Sequence, residues 1–255
     1  MAKCKINEFD LVSPYTCDIP VNGIGKVRKP RLIDIAEAGF ENYQVYLMYF
    51  IEPVDEGFDN LYGKGKYEKL SNDEKNRLTP YLLFSENPII RGGFLEAISF
   101  FVDGEVSWYE ERKCFLVNAD FDEDGTVNCD GVIDGKNFAA FADVIAQISN
   151  VQREEEEVEQ YENELARRID EAAKMGKRAR QRANGDIKTF SLPNVILKLS
   201  VYHSSLNFTN MWDLTVYQAY ADFAELISKK HEEIGAMNYS TWGGDFDSTA
   251  WVKAS

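Results

Sequence analysis

The stretch EVSWYEERKCFLVN (residues 105–118) runs through Ala119 into DFDEDGTVNCDG (residues 120–131), and how it reads decides the fold class. The second part opens like an EF-hand loop. Asp120, Asp122 and Asp124 stand at loop positions 1, 3 and 5, Gly125 at the bend, Val127 at position 8 and Asn128 at position 9. Position 12 should close the cage with a bidentate carboxylate, and it is Gly131. The nearest substitutes are Asp130, one residue early, and Asp134, three late. An EF-hand also needs a helix leading into its loop. Residues 105–118 instead carry aromatic and β-branched side chains on both sides of EERK, the pattern of two short strands around a charged turn. The expectation is an exposed acidic turn between a strand and a helix that opens near Asp134. Asp120, Asp122, Asp124 and Asn128 are the candidate metal ligands, and calcium is expected to bind weakly because the closing carboxylate is missing.

Outward from this stretch the chain reads as helices. Residues 31–38 lie between Pro30 and Gly39, a start signal and a stop signal. Residues 41–51 place Tyr43, Tyr46, Leu47, Phe50 and Ile51 on one face. Ser71 and Glu74 form a capping-box pair for a helix over 72–83. FLEAISFFV (94–102) follows Gly92-Gly93, and FAAFADVIAQISN (138–150) follows the acidic stretch. Residues 1–30 read as irregular and residues 52–70 as an exposed loop. Residues 151–182 read as one long charged helix, with glutamates in its first turns and Lys and Arg in its last, as the helix dipole favours. Its apolar stripe is narrow, through Val158, Tyr161, Leu165 and Ile169. A helix over 193–202, a turn at Asn207–Asn210 and a helix from Trp212 that stops at Gly235 complete the reading.

The fold class expected is mainly α with a small β element: a multi-helix globular body with one long charged helix. The expected division is an N-terminal helical region with the β element (1–150), the charged helix (151–185) and a C-terminal helical region (186–255). Helical spacing assigns a core of Leu32, Ile35, Tyr43, Leu47, Phe50, Phe94, Ile98, Phe101, Phe138, Phe141, Ile145, Leu197, Leu214, Tyr217, Phe223 and Ile227.

Composition narrows the function classes. Of 255 residues, 44% are hydrophobic and 13% aromatic, which places the chain among globular proteins. A formal net charge of −15 argues against bare nucleic acid or an anionic membrane as partner. No apolar run is long enough to span a bilayer, and the start MAKCKINEFD lacks a signal peptide's apolar centre. Four scattered cysteines and only two histidines, His203 and His231, leave little material for a disulfide scaffold, a zinc site or histidine catalysis. GxSxG and HExxH are absent, and Gly23-Ile24-Gly25-Lys26 lacks the spacing of a phosphate loop. The expectation is a protein that is not an enzyme and needs no cofactor.

The order of several phrases resembles a known group. KPRLIDIAEAGFENYQVYLMYF (29–50), FLEAISFFV (94–102), VIDGKNFAAFADVIAQISN (132–150), WDLTVYQAYADFAELISKKHEEIGAMNYSTW (212–242) and AWVKA (250–254) are similar to phage tail-cluster proteins of the tail-assembly-chaperone or baseplate-accessory type, from phages of Gram-positive bacteria. The resemblance implies a protein of tail or baseplate assembly, or a minor virion component, that acts through contacts with tail or baseplate proteins. It implies location in the host cytoplasm during assembly, or in the virion, and leaves a homo-oligomer open. The candidate interaction residues are Tyr161, Leu165 and Ile169 on the charged helix, with Trp242 and Trp251 in the tail. The rival class is a calcium-dependent protein-binding module built on residues 120–131.

Overall fold

The computed structural model describes residues 5–13, 18–21, 23–122, 127–151 and 191–243. It divides into two compact units, residues 1–154 with 213–217, and residues 155–212 with 218–255. The described residues form ten α-helices and seven short strands, a mainly α fold with small β elements. No helix among them is long and apolar enough to cross a membrane.

The first unit is built on α3 (Phe40–Ile51), which packs against both α7 (Pro88–Phe101) and α8 (Phe138–Ile148). The three helices meet through aromatic rings. Phe50 stacks on Phe138 at 5.8 Å between ring centroids and meets Phe101 and Phe141 edge-on at 5.4 and 5.3 Å. The helix α2 (Leu32–Ala38) precedes α3 and buries Leu32 and Ile35. A three-stranded antiparallel sheet, ordered β3 (Val106–Tyr109), β4 (Cys114–Val117) and β7 (Gly131–Ile133), joins α7 and α8 and contributes Phe115 to the same core. Residues 105–118 therefore do form two strands. Of the core expected from spacing, Leu32, Ile35, Tyr43, Phe50, Phe94, Ile98, Phe101, Phe138, Phe141, Ile145 and Phe223 are buried. Leu47, Leu214, Tyr217 and Ile227 are half-buried. Leu197 is exposed.

Several boundaries differ from the sequence reading, each for a local reason. The described residues of 1–30 are not irregular. A short helix α1 (Glu8–Val12) is followed by a hairpin of β1 (Asp18–Val21) and β2 (Gly25–Arg28). The buried Lys29 ties them together by donating from Nζ to the carbonyls of Asp10 and Ser13 at 2.8 and 3.0 Å, where α1 ends. Residues 52–70 contain α4 (Val54–Tyr62), with acids in its first turn and Gly63 at its end. The single helix expected over 72–83 is two, α5 (Asn72–Arg77) and α6 (Pro80–Ser85). Pro80 has no N–H to continue α5, and it holds Thr79 extended, with φ −114° and ψ 158°. The helix α7 begins six residues before Phe94, at Pro88, with Asn87 accepting the Ile89 N–H, so Gly92 and Gly93 lie inside it.

Those two glycines differ in their surroundings. A Cβ at Gly92 would meet nothing within 4 Å, whereas one at Gly93 would sit 2.6 Å from the Tyr49 hydroxyl. Tyr49 is held edge-on against Phe84 at 4.9 Å and so has little room to withdraw. Gly92→Ala is expected to stabilise the protein by about 0.5–1 kcal/mol. Gly93→Ala is expected to destabilise it by about 1–3 kcal/mol. Urea midpoints moving in the same direction for both variants would contradict this account.

The turn after α4 is held by one carboxylate. Asp59 accepts the backbone N–H groups of Tyr67 at 2.8 Å and Gly65 at 2.6 Å. These bonds, Tyr67's first, hold the Asp59 carboxyl below the usual carboxylate range. Because the folded pKa is the lower one, the stabilisation is fully present above the ordinary value of 3.8 and is lost as pH falls through the folded pKa. The stability gap between wild type and Asp59→Asn should accordingly be constant above about pH 5 and shrink in acid. A gap that grows on acidification would refute the assignment.

The second unit has α9 (Leu192–Tyr202), which opens with Pro193 in its first turn, and most of α10 (Val216–Trp242). Between them Asn207 and Asn210 exchange hydrogen bonds in the expected turn. The helix α10 does not stop at Gly235. It ends at Gly243, which has φ +70° and donates its N–H to the Tyr239 carbonyl, a left-handed glycine cap.

Candidate functional site: the acidic hairpin and the open helix faces

The acidic stretch folds as a hairpin of β5 (Asp120–Phe121) and β6 (Val127–Asn128). Asp120 stands opposite Asn128 in register, and the Asn128 amide donates to the Asp122 carboxylate at 3.3 Å. Three of the four candidate ligands, Asp120, Asp122 and Asn128, are thus neighbours and exposed, while Asp124 lies outside the described residues. No group of three or more His, Cys, Asp or Glu placed to hold a metal occurs among the described residues.

The substitutes for the missing closing ligand are occupied. Asp130 accepts from the Asn118 side chain at 2.8 Å, and Asn118 in turn accepts the Glu105 N–H at 2.8 Å, which fastens the corner before β3. Asp134 accepts the N–H groups of Lys136 and Asn137 at 2.8 and 3.2 Å and turns the chain into α8. Gly131 itself is a buried residue of β7, paired with Val117. The acidic turn therefore does not run straight into a helix: strand β7 intervenes, and α8 begins only at Phe138.

The loop Gly23-Ile24-Gly25 explains β7. It is the tip of the β1–β2 hairpin, with both glycines at positive φ and Ile24 fully buried. The tip lies against β7, where the Val132 N–H donates to the Gly23 carbonyl at 2.6 Å. The two glycines serve a turn that docks on the sheet.

In the second unit, α9 turns Leu192, Val195 and Leu199 inward. Leu197 and Val201, one turn apart, lie on the other side and are exposed together with Tyr202. This corrects the assignment of Leu197 to the core: two residues from Val195 and from Leu199, it is rotated about 200° away from both. The stripe of α10 behaves differently along its length. Phe223 is buried and Tyr220 and Ile227 half-buried, but Ile234 and Met237 on the same stripe are exposed, and Tyr239 and Trp242 beside them likewise. Trp242 is 85% exposed. Of the other candidate interaction residues, Tyr161, Leu165, Ile169 and Trp251 lie outside the described residues. Periodicity found the stripe of α10, but it carries no sign of where the cover ends.

The histidines serve local structure or stand clear of it. His203 closes α9, and its Nδ1 accepts the N–H groups of Ser205 and Leu206 at 3.3 and 3.2 Å. Burial raises the carboxyl pKa of Asp222, against an opposing pull from His203.

No curated protein and no solved structure matches the chain. Residues 180–255 match the family model described as YomV second domain, and YomV is a Bacillus phage-region protein. The match includes α9, α10 and their open faces, and it suggests a phage-derived protein.

Proposed function

We propose that this is a non-enzymatic phage protein that acts in tail or baseplate assembly, or as a minor virion component, by binding other proteins. The observation that carries the reading is the apolar surface left open on α9 and α10, within the segment matched to a phage-region domain. Leu197, Val201 and Tyr202 on one helix, and Ile234, Met237, Tyr239 and Trp242 on the other, are the kind of side chains that anchor interfaces, because they bury large area at low entropic cost. The partners are tail or baseplate proteins, with further copies of this chain among the candidates, and the site of action is the host cytoplasm during assembly or the finished virion.

The test uses full-length protein in phage-producing cells. Ile234→Asp combined with Trp242→Asp should keep the helical circular-dichroism spectrum and lose co-purification with tail proteins. Unchanged co-purification, or capture of no tail protein by the wild type, would sink the reading. Mass spectrometry of purified particles then separates a virion component from an assembly factor that leaves.

Calcium is no more than a weak ligand in this reading, since Gly131 is committed to the sheet and Asp130 and Asp134 to hydrogen bonds. Calorimetric titration is expected to show no site tighter than about 10⁻⁴ M. A micromolar constant that Asp122→Ala abolishes would favour the calcium-dependent binding module instead.

A further inference from the structure

The helix α10 carries a seam that outlasts its cover. From Phe223 the same face steps by four, three, four, three and four residues to Ile227, Lys230, Ile234, Met237 and Thr241. That alternation has the 3.5-residue period of helices that pair along a shared seam. Phe223 is buried and Ile227 half-buried, so the first part of the seam is used in folding. Ile234 and Met237 are 55% and 67% exposed, and there the spacing continues without cover.

Charge decides what can cover it. The chain has a formal net charge of −15, so a second copy is repelled from most of its surface. Residues 229–242 differ. Lys229 and Lys230 balance Glu232 and Glu233, and residues 234–242 carry no charge at all. Lys230 is held to Glu233 at 2.6 Å, which lays its apolar stem along the seam and its charge at the flank. The last turn of α10 has no basic residue of its own to complement the carbonyl end of the helix dipole.

We propose that this uncovered half of α10 pairs with the same half of a second copy of the chain, antiparallel, about a two-fold axis between Gly235 and Ala236. In that register Ile234 packs on the partner subunit's Met237, and Met237 on the partner subunit's Ile234. Each Lys230 lies beside the partner subunit's Thr241, where it supplies the cation that the opposite helix end lacks. A parallel pair would place both Lys230 side chains in one layer and leave both helix ends without a cation. A single polar residue in a seam selects direction and register in this way. Twelve residues of helix span only about 18 Å. The contact is smaller than the roughly 800 Å² per partner of a standard interface, so the pair is weak and reversible. The proposal rests on the reading that the open faces bind protein, and it divides them. The second copy takes α10, while Leu197, Val201 and Tyr202 on α9 stay free for a tail protein and are presented twice in the dimer.

Sedimentation velocity of the full-length protein from about 1 to 300 μM should show a dimer with a dissociation constant of about 10⁻⁶–10⁻⁴ M. Ile234→Asp should raise that constant at least about tenfold with an unchanged helical circular-dichroism spectrum, and Met237→Asp should do the same. Leu197→Asp, on α9, should leave it unaltered. Direction is read by copper-phenanthroline oxidation of mixed variants. Lys230→Cys mixed with Thr241→Cys should give a linked dimer well above the wild-type background, and Lys230→Cys alone should not. A monomer throughout the concentration range, a dimer that both aspartate variants leave intact, or preferential linkage of Lys230→Cys to itself would overturn the inference. A monomer that still co-purifies with tail proteins sinks the pairing alone, whereas a dimer that captures none sinks the tail reading alone.

Discussion

Gly131→Ala is expected to be the most damaging single-methyl change in this protein. A Cβ at residue 131 would sit 2.0 Å from the carbonyl oxygen of Ile24 and 2.4 Å from its carbon. Both obstacles are backbone, so no rotamer change can relieve them. Neither chain is free to withdraw: the Val132 N–H is bonded to Gly23 at 2.6 Å, and the Asp130 N–H to Val117 at 2.9 Å. Accommodation means undocking the β1–β2 hairpin and exposing Ile24. Ordinary overpacking costs about 1–3 kcal/mol, and this contact should exceed that range. Against a typical total of about 5–15 kcal/mol, the variant should be largely insoluble or show a greatly lowered urea midpoint. A midpoint near wild type would mean that the hairpin tip does not rest on β7.

The second large effect is expected at Phe94. Its ring is fully buried and lies within 6.3 Å, centroid to centroid, of six others: Tyr49, Phe50, Tyr81, Phe84, Phe115 and Phe138. These belong to α3, α6, α8 and β4. Truncation to alanine removes the ring from the point where helices and sheet meet, and the fused aromatic neighbours cannot collapse into the space without leaving their own partners. The cost should be about 3–5 kcal/mol. Phe121→Ala, at an exposed position of β5, provides the control and should change stability by no more than about 0.5 kcal/mol. Equal losses at the two positions would show that the aromatic cluster is not the centre of the core.

Features that depend on neighbours a few residues apart were legible in the chain alone. Pro30 and Gly39 bracket α2, and the reciprocal bonds of Ser71 and Glu74 start α5 as their spacing requires. The aromatic and β-branched content of residues 105–118 produced β3 and β4 around a charged turn. Periodicity identified Phe50, Phe94, Phe101 and Phe141 as core. The same local reasoning recognised that Gly131 cannot close a calcium cage, but not why a glycine stands there.

That reason is tertiary. Gly131 is required by a backbone more than a hundred residues earlier in the chain, and no pattern within the acidic stretch encodes the approach. Tertiary structure also decided which of two apolar faces of α9 turns inward, leaving Leu197 outside. It assigned Asp130 and Asp134 to corners and caps that compete with any role as ligands. Carboxylates and apolar side chains look alike in sequence whether spent on folding or left for a partner, because only distance to the rest of the chain separates the two uses. The faces of α9 and α10 are where that distance leaves apolar side chains unspent.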